Sequence, residues 1–324
     1  MNQSVRFLPP CRIFRDDNNP SAVPGSFKMK KLCRSAIPAV MLAAVILAVV
    51  VQPAAAKQIL FGTTGACNNK VKGGPCTQNS TLVQIDPDSG ALIRVIGPVG
   101  FTVNGTAWDR RSQTLYASTA IGCGLPGSVC PFHGLITIDT LTGAGYPVDP
   151  TVHNFGLAGA DSPIHSITID GHGRMVGWYD EFPPPVGVTD TFVKINKKTG
   201  IATEFPNTGI DTAANGLSFD EVNYLWNIDT ARADPTTGVL TQTAYLIDPF
   251  TGKPFVGVAL NPPVTAALGD FNPKDNLYYG IDLDLAPLTF IIVVNPRTGT
   301  NTVLGQSVND LHTLTFAKVR LDIN

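Results

Sequence analysis

The chain has 324 residues, 44% of them hydrophobic and only 15% charged, with 31 Gly and 26 Pro. So little charge with so many turn formers argues against a disordered chain or a helical bundle and fits a β-rich globular domain. The formal charge is −2, and setting aside the seven Lys/Arg and two Asp/Glu before Lys57 leaves 16 basic against 23 acidic residues, net −7. A nucleic-acid binder would show a basic excess instead.

The first elements read as targeting. Residues 1–28, Pro-rich and carrying Asp16-Asp17-Asn18-Asn19, are expected to be a non-structural extension, and Met29 offers an alternative start. Residues 29–56 read as a signal peptide. Lys28, Lys30, Lys31 and Arg34 make a basic start, Ala36 to Val51 an apolar run, and Ala54-Ala55-Ala56 a small-residue cleavage site. A retained anchor is the competing reading, but about 16 apolar residues are few for a span that needs roughly 20. Cleavage is predicted to leave Lys57 first, with no membrane span in the mature chain and a periplasmic or secreted destination.

Residues 57–324 read as one domain built on a repeat. Leu82-Val-Gln-Ile85-Asp86-Pro87-Asp88-Ser89-Gly90 recurs in variant form ending at Gly143, Gly200, Gly252 and Gly299, at spacings of 53, 57, 52 and 47 residues. An apolar β-forming run stopped by Asp or Asn and closed by Thr/Ser-Gly is a strand entering a turn. Two further pieces fill each period. One resembles Asn104-Gly105-Thr106-Ala107-Trp108-Asp109, with counterparts ending at Asp170, Asp220 and Asn272. The other is a short aromatic strand such as Leu115-Tyr116-Ala117 or Leu225-Trp226-Asn227. With a fourth short strand after each phrase, the period predicts an all-β, five-bladed β-propeller. Ile59-Leu60-Phe61-Gly62 lacks a preceding first strand and His312-Thr313-Leu314-Thr315-Phe316 has nothing substantial after it. Together they are predicted to close one blade, three strands from the N-terminal end and one from the C-terminal end, which removes the exposed edges of an open ring.

The I-D-P-x-T-G turn, the G-L-x-F-D strand and the L-Y-G strand resemble those of secreted bacterial β-propellers of the NHL and YVTN-repeat kind, over residues 59–317. The resemblance implies a propeller and no particular chemistry, because such folds serve as scaffolds, binding modules, hydrolases and lyases.

Four cysteines follow the leader: Cys67, Cys76, Cys123 and Cys130. An even count in an exported chain points to disulfides, with the sequence-local pairs Cys67–Cys76 and Cys123–Cys130 expected. Zinc is the alternative, but no C-x-x-C spacing or clustered His supports it.

In a propeller the first strand of each blade lines the central channel. Counting back four residues from its large apolar residue equates Asn104, His165, Asn215, Ala267 and His312, four of them polar. They are expected to converge at the channel mouth, with Asp180, Glu181, Asp229, Asp234, Asp282 and Asp284 on loops at the same end. Such a mouth suits a cation, Ca²⁺ among them, or a polyhydroxylated ligand. The competing reading is that Asn-Gly and His-Ser shape turns and that the acids solvate the surface. Free imidazoles titrate near 6.5, so binding by neutral His is expected to weaken around that pH. His172 sits in a hairpin tip and reads as a turn residue.

The preferred function is a binding or interaction module for an unknown small molecule, glycan or protein, monomeric and not nucleic-acid binding. The alternatives are a secreted hydrolase or lyase, carbohydrate-active or lactone-type, with a His/carboxylate site, and a structural envelope or matrix protein. Catalysis is the weaker reading because only three Glu are present and no G-x-S-x-G, phosphate loop or H-E-x-x-H occurs.

Overall fold

The repeated phrase closes on itself in the same way five times. The final Gly donates its amide to the carbonyl of the Asp or Asn four residues earlier, Gly90 to Asp86 through Gly299 to Asn295, at 2.8–2.9 Å. The Asp or Asn side chain accepts a second amide two residues on, as Asp86 does from Asp88 and Asp248 from Phe250. All five glycines have φ between 71° and 84°, a region that a Cβ disfavours.

The computed structural model describes residues 57–65, 79–119, 133–157, 164–179, 189–205, 207–212, 216–233, 237–264, 266–282 and 288–319. The first strands are β1 (Lys57–Thr64), β2 (Thr81–Ile85) and β3 (Leu92–Pro98). Blade 1 is β4 (Val103–Asp109), β5 (Thr114–Thr119), β6 (Leu135–Ile138) and β7 (Gly145–Pro147). Blade 2 is β8 (Ser166–Ile169), β9 (Met175–Tyr179), β10 (Thr191–Ile195) and β11 (Ala202–Phe205). Blade 3 begins with β12 (Gly216–Phe219) and β13 (Leu225–Ile228). A separate ribbon follows, β14 (Arg232–Ala233) with β15 (Leu240–Thr241), and β16 (Thr243–Ile247) and β17 (Pro254–Ala259) complete the blade. Blade 4 is β18 (Ala266–Phe271), β19 (Tyr278–Asp282), β20 (Phe290–Asn295) and β21 (Thr300–Gln306), and the last strand is β22 (Leu311–Val319).

Blade 5 has the order β22-β1-β2-β3, so the ring closes as expected. Ile59 pairs with Ala317, Leu60 with Phe316 and Thr63 with Thr313, all antiparallel. The innermost strands touch in sequence, β22 to β4, β8, β12, β18 and back to β22. The fold is therefore all-β, a five-bladed propeller.

Five apolar cores fill the five junctions between blades. Phe61, Trp108 and Ile136 join blades 5 and 1. Ile167, Met175 and Leu135 join blades 1 and 2. Trp178, Phe192 and Phe219 join blades 2 and 3, Trp226, Phe271 and Tyr278 blades 3 and 4, and Leu60, Tyr279 and Phe316 blades 4 and 5. Successive residues of a strand point to opposite faces, so Phe192 serves one junction and Val193 the other. Each such buried side chain stabilises the ring by about 1.5–3 kcal/mol. Trp178 is fully buried and its indole N–H donates to Asp190 at 2.9 Å. Among the described residues no helix is long and apolar enough to cross a membrane.

This winding sorts the loops. The upper end holds the starts of the inner strands and the loops between second and third strands. The lower end holds the Asp residues that finish the inner strands and the Thr-Gly turns.

Candidate functional site at the upper end of the channel

Three inner strands carry a β-bulge near their start. In β4, Val103 pairs with Thr119 and Gly105 with Ser118, leaving Asn104 as the extra residue. In β22, Leu311 pairs with Thr64 and Thr313 with Thr63, leaving His312. In β18 the register slips by one between Ala267 and Asp270, and Leu268 has φ +50°. A bulge bends its strand and re-aims the side chain of the extra residue. Counting back four residues from the apolar anchor thus finds the bulge residue in β4 and β22. It misses the bulge in β18, which lies beyond Ala267.

His165 stands just before β8, its amide donating to the Trp178 carbonyl at 3.1 Å. His165 belongs to blade 2 and His312 to blade 5, and blade 1 with Asn104 stands between them. Asn104 is buried, and both histidines are partly exposed. Burial holds the His165 pKa down to about 4. Burial, and then repulsion from His165, holds that of His312 down to about 4 as well. The expectation of titration near 6.5 is therefore corrected, because imidazoles taken out of water resist charging. Both stay neutral through the physiological range.

Of the remaining expected site residues, Asp282 ends β19 and is partly exposed. Asp229 is buried and its carboxylate accepts the Thr230 amide at 2.8 Å, a structural use. Asn215, Asp180, Glu181, Asp234 and Asp284 lie outside the described residues, as do Cys67, Cys76, Cys123 and Cys130. His172 is exposed in the β8–β9 turn and its amide donates to Asp170, as a turn residue would. Among the described residues no three His, Cys, Asp or Glu come together as a metal-holding group.

Below the mouth the inner strands are stitched together by short polar side chains. The Leu217 amide donates to Ser166 Oγ at 3.1 Å, and Thr106 and Thr315 share a hydrogen bond of 2.6 Å. Asp270 accepts from Ser218 Oγ at 2.5 Å and from the Phe316 amide at 2.9 Å, tying blades 3, 4 and 5. Burial pushes its pKa up to about 6, against those hydrogen bonds. The voids left beside these groups measure about 10 Å³ by Gly105 and Thr313 and about 30 Å³ by Arg110 and Asp270. Each is of the order of one or two waters.

The lower end is closed by charge. Glu221 takes two hydrogen bonds from the Arg110 guanidinium and one from Lys318 Nζ at 2.9 Å, uniting blades 3, 1 and 5. Burial opposes ionisation of Glu221, but Arg110 and Lys318 outweigh it and hold its pKa below the ordinary value. Around this triad the strand-closing acids meet cations from the next blade's Thr-Gly turn: Lys197 bonds Asp109, and Arg297 bonds Asp220. Residues Arg110, Glu221 and Lys318 escaped the sequence reading. Their one signal is that Arg110 and Glu221 each follow a strand-closing Asp, next to the channel.

No protein family and no curated protein matches the chain. Solved structures similar to it include an α-L-arabinofuranosidase from Clostridium thermocellum, with 13% identity, a TM-score of 0.45 and coverage of 74% of this chain and 85% of that one. A gluconolactonase from Xanthomonas campestris has 13% identity, a TM-score of 0.41 and coverage of 69% and 71%. TolB from Acinetobacter baumannii has 10% identity and a TM-score of 0.41, with 76% of this chain matching 52% of that one. The chain thus spans about half the length of TolB. Likeness at this level concerns fold alone.

Proposed function

We propose that the protein is an exported propeller of the NHL and YVTN-repeat kind that binds a ligand on its upper channel face. The observation that carries this reading is the pair of neutral imidazoles, His165 and His312, at the upper end of inner strands from blades 2 and 5. Among the described residues neither histidine forms an ion pair with a carboxylate. They make a polar, uncharged surface at the channel mouth, with the buried Asn104 on the blade between them. Such a surface suits hydroxyl groups, which both accept and donate hydrogen bonds to imidazole and amide. A glycan or another polyhydroxylated molecule is therefore the favoured ligand class. Ca²⁺ takes oxygen ligands, so it would rest on loop acids such as Asp180, Glu181 and Asp282 and not on the imidazoles.

A glycan array probed with the protein tests this, with the H165A/H312A variant as the comparison. The expected result is binding by the native chain, retained down to about pH 5 because the imidazoles stay neutral there, and lost in the double variant. Hydrolysis of a bound glycan or lactone during the assay would favour the hydrolase or lyase alternative. Equal binding by both proteins would remove the histidines from any site.

A further inference from the structure

At two blade junctions the Thr-Gly turn obeys a rule. A cation at one of its two variable positions reaches back to the strand-closing Asp of the preceding blade, as Lys197 does to Asp109 and Arg297 to Asp220. The junction between blades 2 and 3 breaks the rule. There the variable positions are Pro249 and Phe250, and Asp170 is met instead by Arg174 from its own blade at 2.5 Å. Phe250, 55% exposed, lies over that guanidinium, 4.9 Å from Cζ to the ring centroid. A cavity of about 440 Å³ opens at this junction. That volume is within the range of small-molecule sites, whereas the channel voids are not.

The cavity is apolar inside and basic at its rim. Val176 and Phe219, each nearly fully buried and both part of the core between blades 2 and 3, form the floor. Lys194, Lys197 and Lys198 stand around it with Arg174. Lys197 and Arg174 are bonded to Asp109 and Asp170, but among the described residues neither Lys194 nor Lys198 meets a carboxylate. Lys194 Nζ instead lies 4.3 Å from the Phe205 ring centroid and 5.8 Å from that of Phe250. In a domain of net −7 this is a local reversal of sign, and a concave apolar wall focuses such a field.

We propose that this cavity binds a small amphipathic anion. Its apolar body packs on Val176 and Phe219 beneath the Phe250 ring. Its carboxylate, sulfonate or phosphate group is held by Lys194 and Lys198 through charge-assisted hydrogen bonds. The site lies at the lower end of the ring and is independent of the upper face.

Isothermal titration of the full chain with naphthalene-2-sulfonate tests the proposal, with 2-naphthylmethylammonium as the cation of similar shape. One sulfonate is expected to bind per chain, more weakly as salt rises, and the ammonium is expected not to bind. K194Q/K198Q and F250A are each expected to lower the affinity about ten-fold, while F255A, at an exposed Phe of β17, leaves it unchanged. The altered side chains carry no core packing, so unchanged melting temperatures will identify the loss as local. Equal affinity for the two naphthalene probes, or unchanged affinity in both folded variants, would overturn the proposal. So would binding of a polyglutamate peptide without binding of the sulfonate, which would point to a protein partner.

Discussion

The two ends of the channel handle polar groups in opposite ways. At the lower end Glu221, Asp109, Asp170 and Asp220 are each met by at least one cation, and several of these bonds cross from blade to blade. At the upper end the inner strands bulge, and two imidazoles are held neutral. Paired charges at the lower end tie neighbouring blades together, while the upper end carries two neutral imidazoles. The difference teaches that within one repeat the two strand ends can be built separately, one with paired charge and the other with neutral polar groups.

Removing residues 311–324 would break both ends at once, since β22 carries His312 above and Lys318 below. It would also take Leu311, Leu314 and Phe316, all almost fully buried, out of their junctions. Each such loss costs about 2–5 kcal/mol, and together they approach or exceed a typical total stability of about 5–15 kcal/mol. Circular dichroism is expected to show no cooperative melt. A truncated chain that melts within a few degrees of the native one would disprove closure by β22.

Acid should separate the ends next. The histidine pKa values lie near 4 in the folded chain, below the ordinary 6.5, so the unfolded chain takes up protons first. Their contribution is full above pH 6.5 and is lost as pH falls toward 4. The full shift corresponds to roughly 3 kcal/mol per histidine, and partial exposure reduces that to about 2. Asp270 acts the other way. Its pKa of about 6 is raised, so its contribution is present below about 3.8 and lost as pH rises through 6. Urea unfolding between pH 7 and 4.5 is expected to show falling stability, flattened in H165N/H312N and steeper in D270N. A native chain equally stable across that range would contradict the burial of the imidazoles.

The smallest effect belongs to the lower triad. Glu221→Gln keeps the shape but removes the charge that Arg110 and Lys318 share. Their side chains are 37–40% exposed, so screening limits the loss to about 1 kcal/mol. The difference in melting temperature is expected to shrink at high salt, because exposed pairs are screened. A difference that persists undiminished would mean that packing, and not charge, is what Glu221 supplies.

The blade count, the closing strand and the place of every Thr-Gly turn were legible because they depend on local chemistry. An Asp that caps its own backbone and a Gly at positive φ leave a signature within five residues. The strand-closing Asp was also readable as a turn former, and Asp170 does accept the His172 and Arg174 amides. Its second use, as the buried partner of a cation from another blade, was not. Lys197 is 88 residues from Asp109 and Arg297 is 77 from Asp220, and no local pattern links them. Counting equated Asn104, His165 and His312, yet it could not show that the two imidazoles are neutral, since that arises from burial that only the packed ring creates. The bulge in β18 was hidden for a related reason. An extra residue appears only when a strand is laid against its partner, and that pairing is decided by the closed ring. The sequence by itself determined five blades and their turns, because short-range hydrogen bonding and alternating burial specify them. Only the tertiary structure decided which end is sealed by charge, which is left neutral, and where a cavity opens between blades 2 and 3, because these rest on contacts between blades.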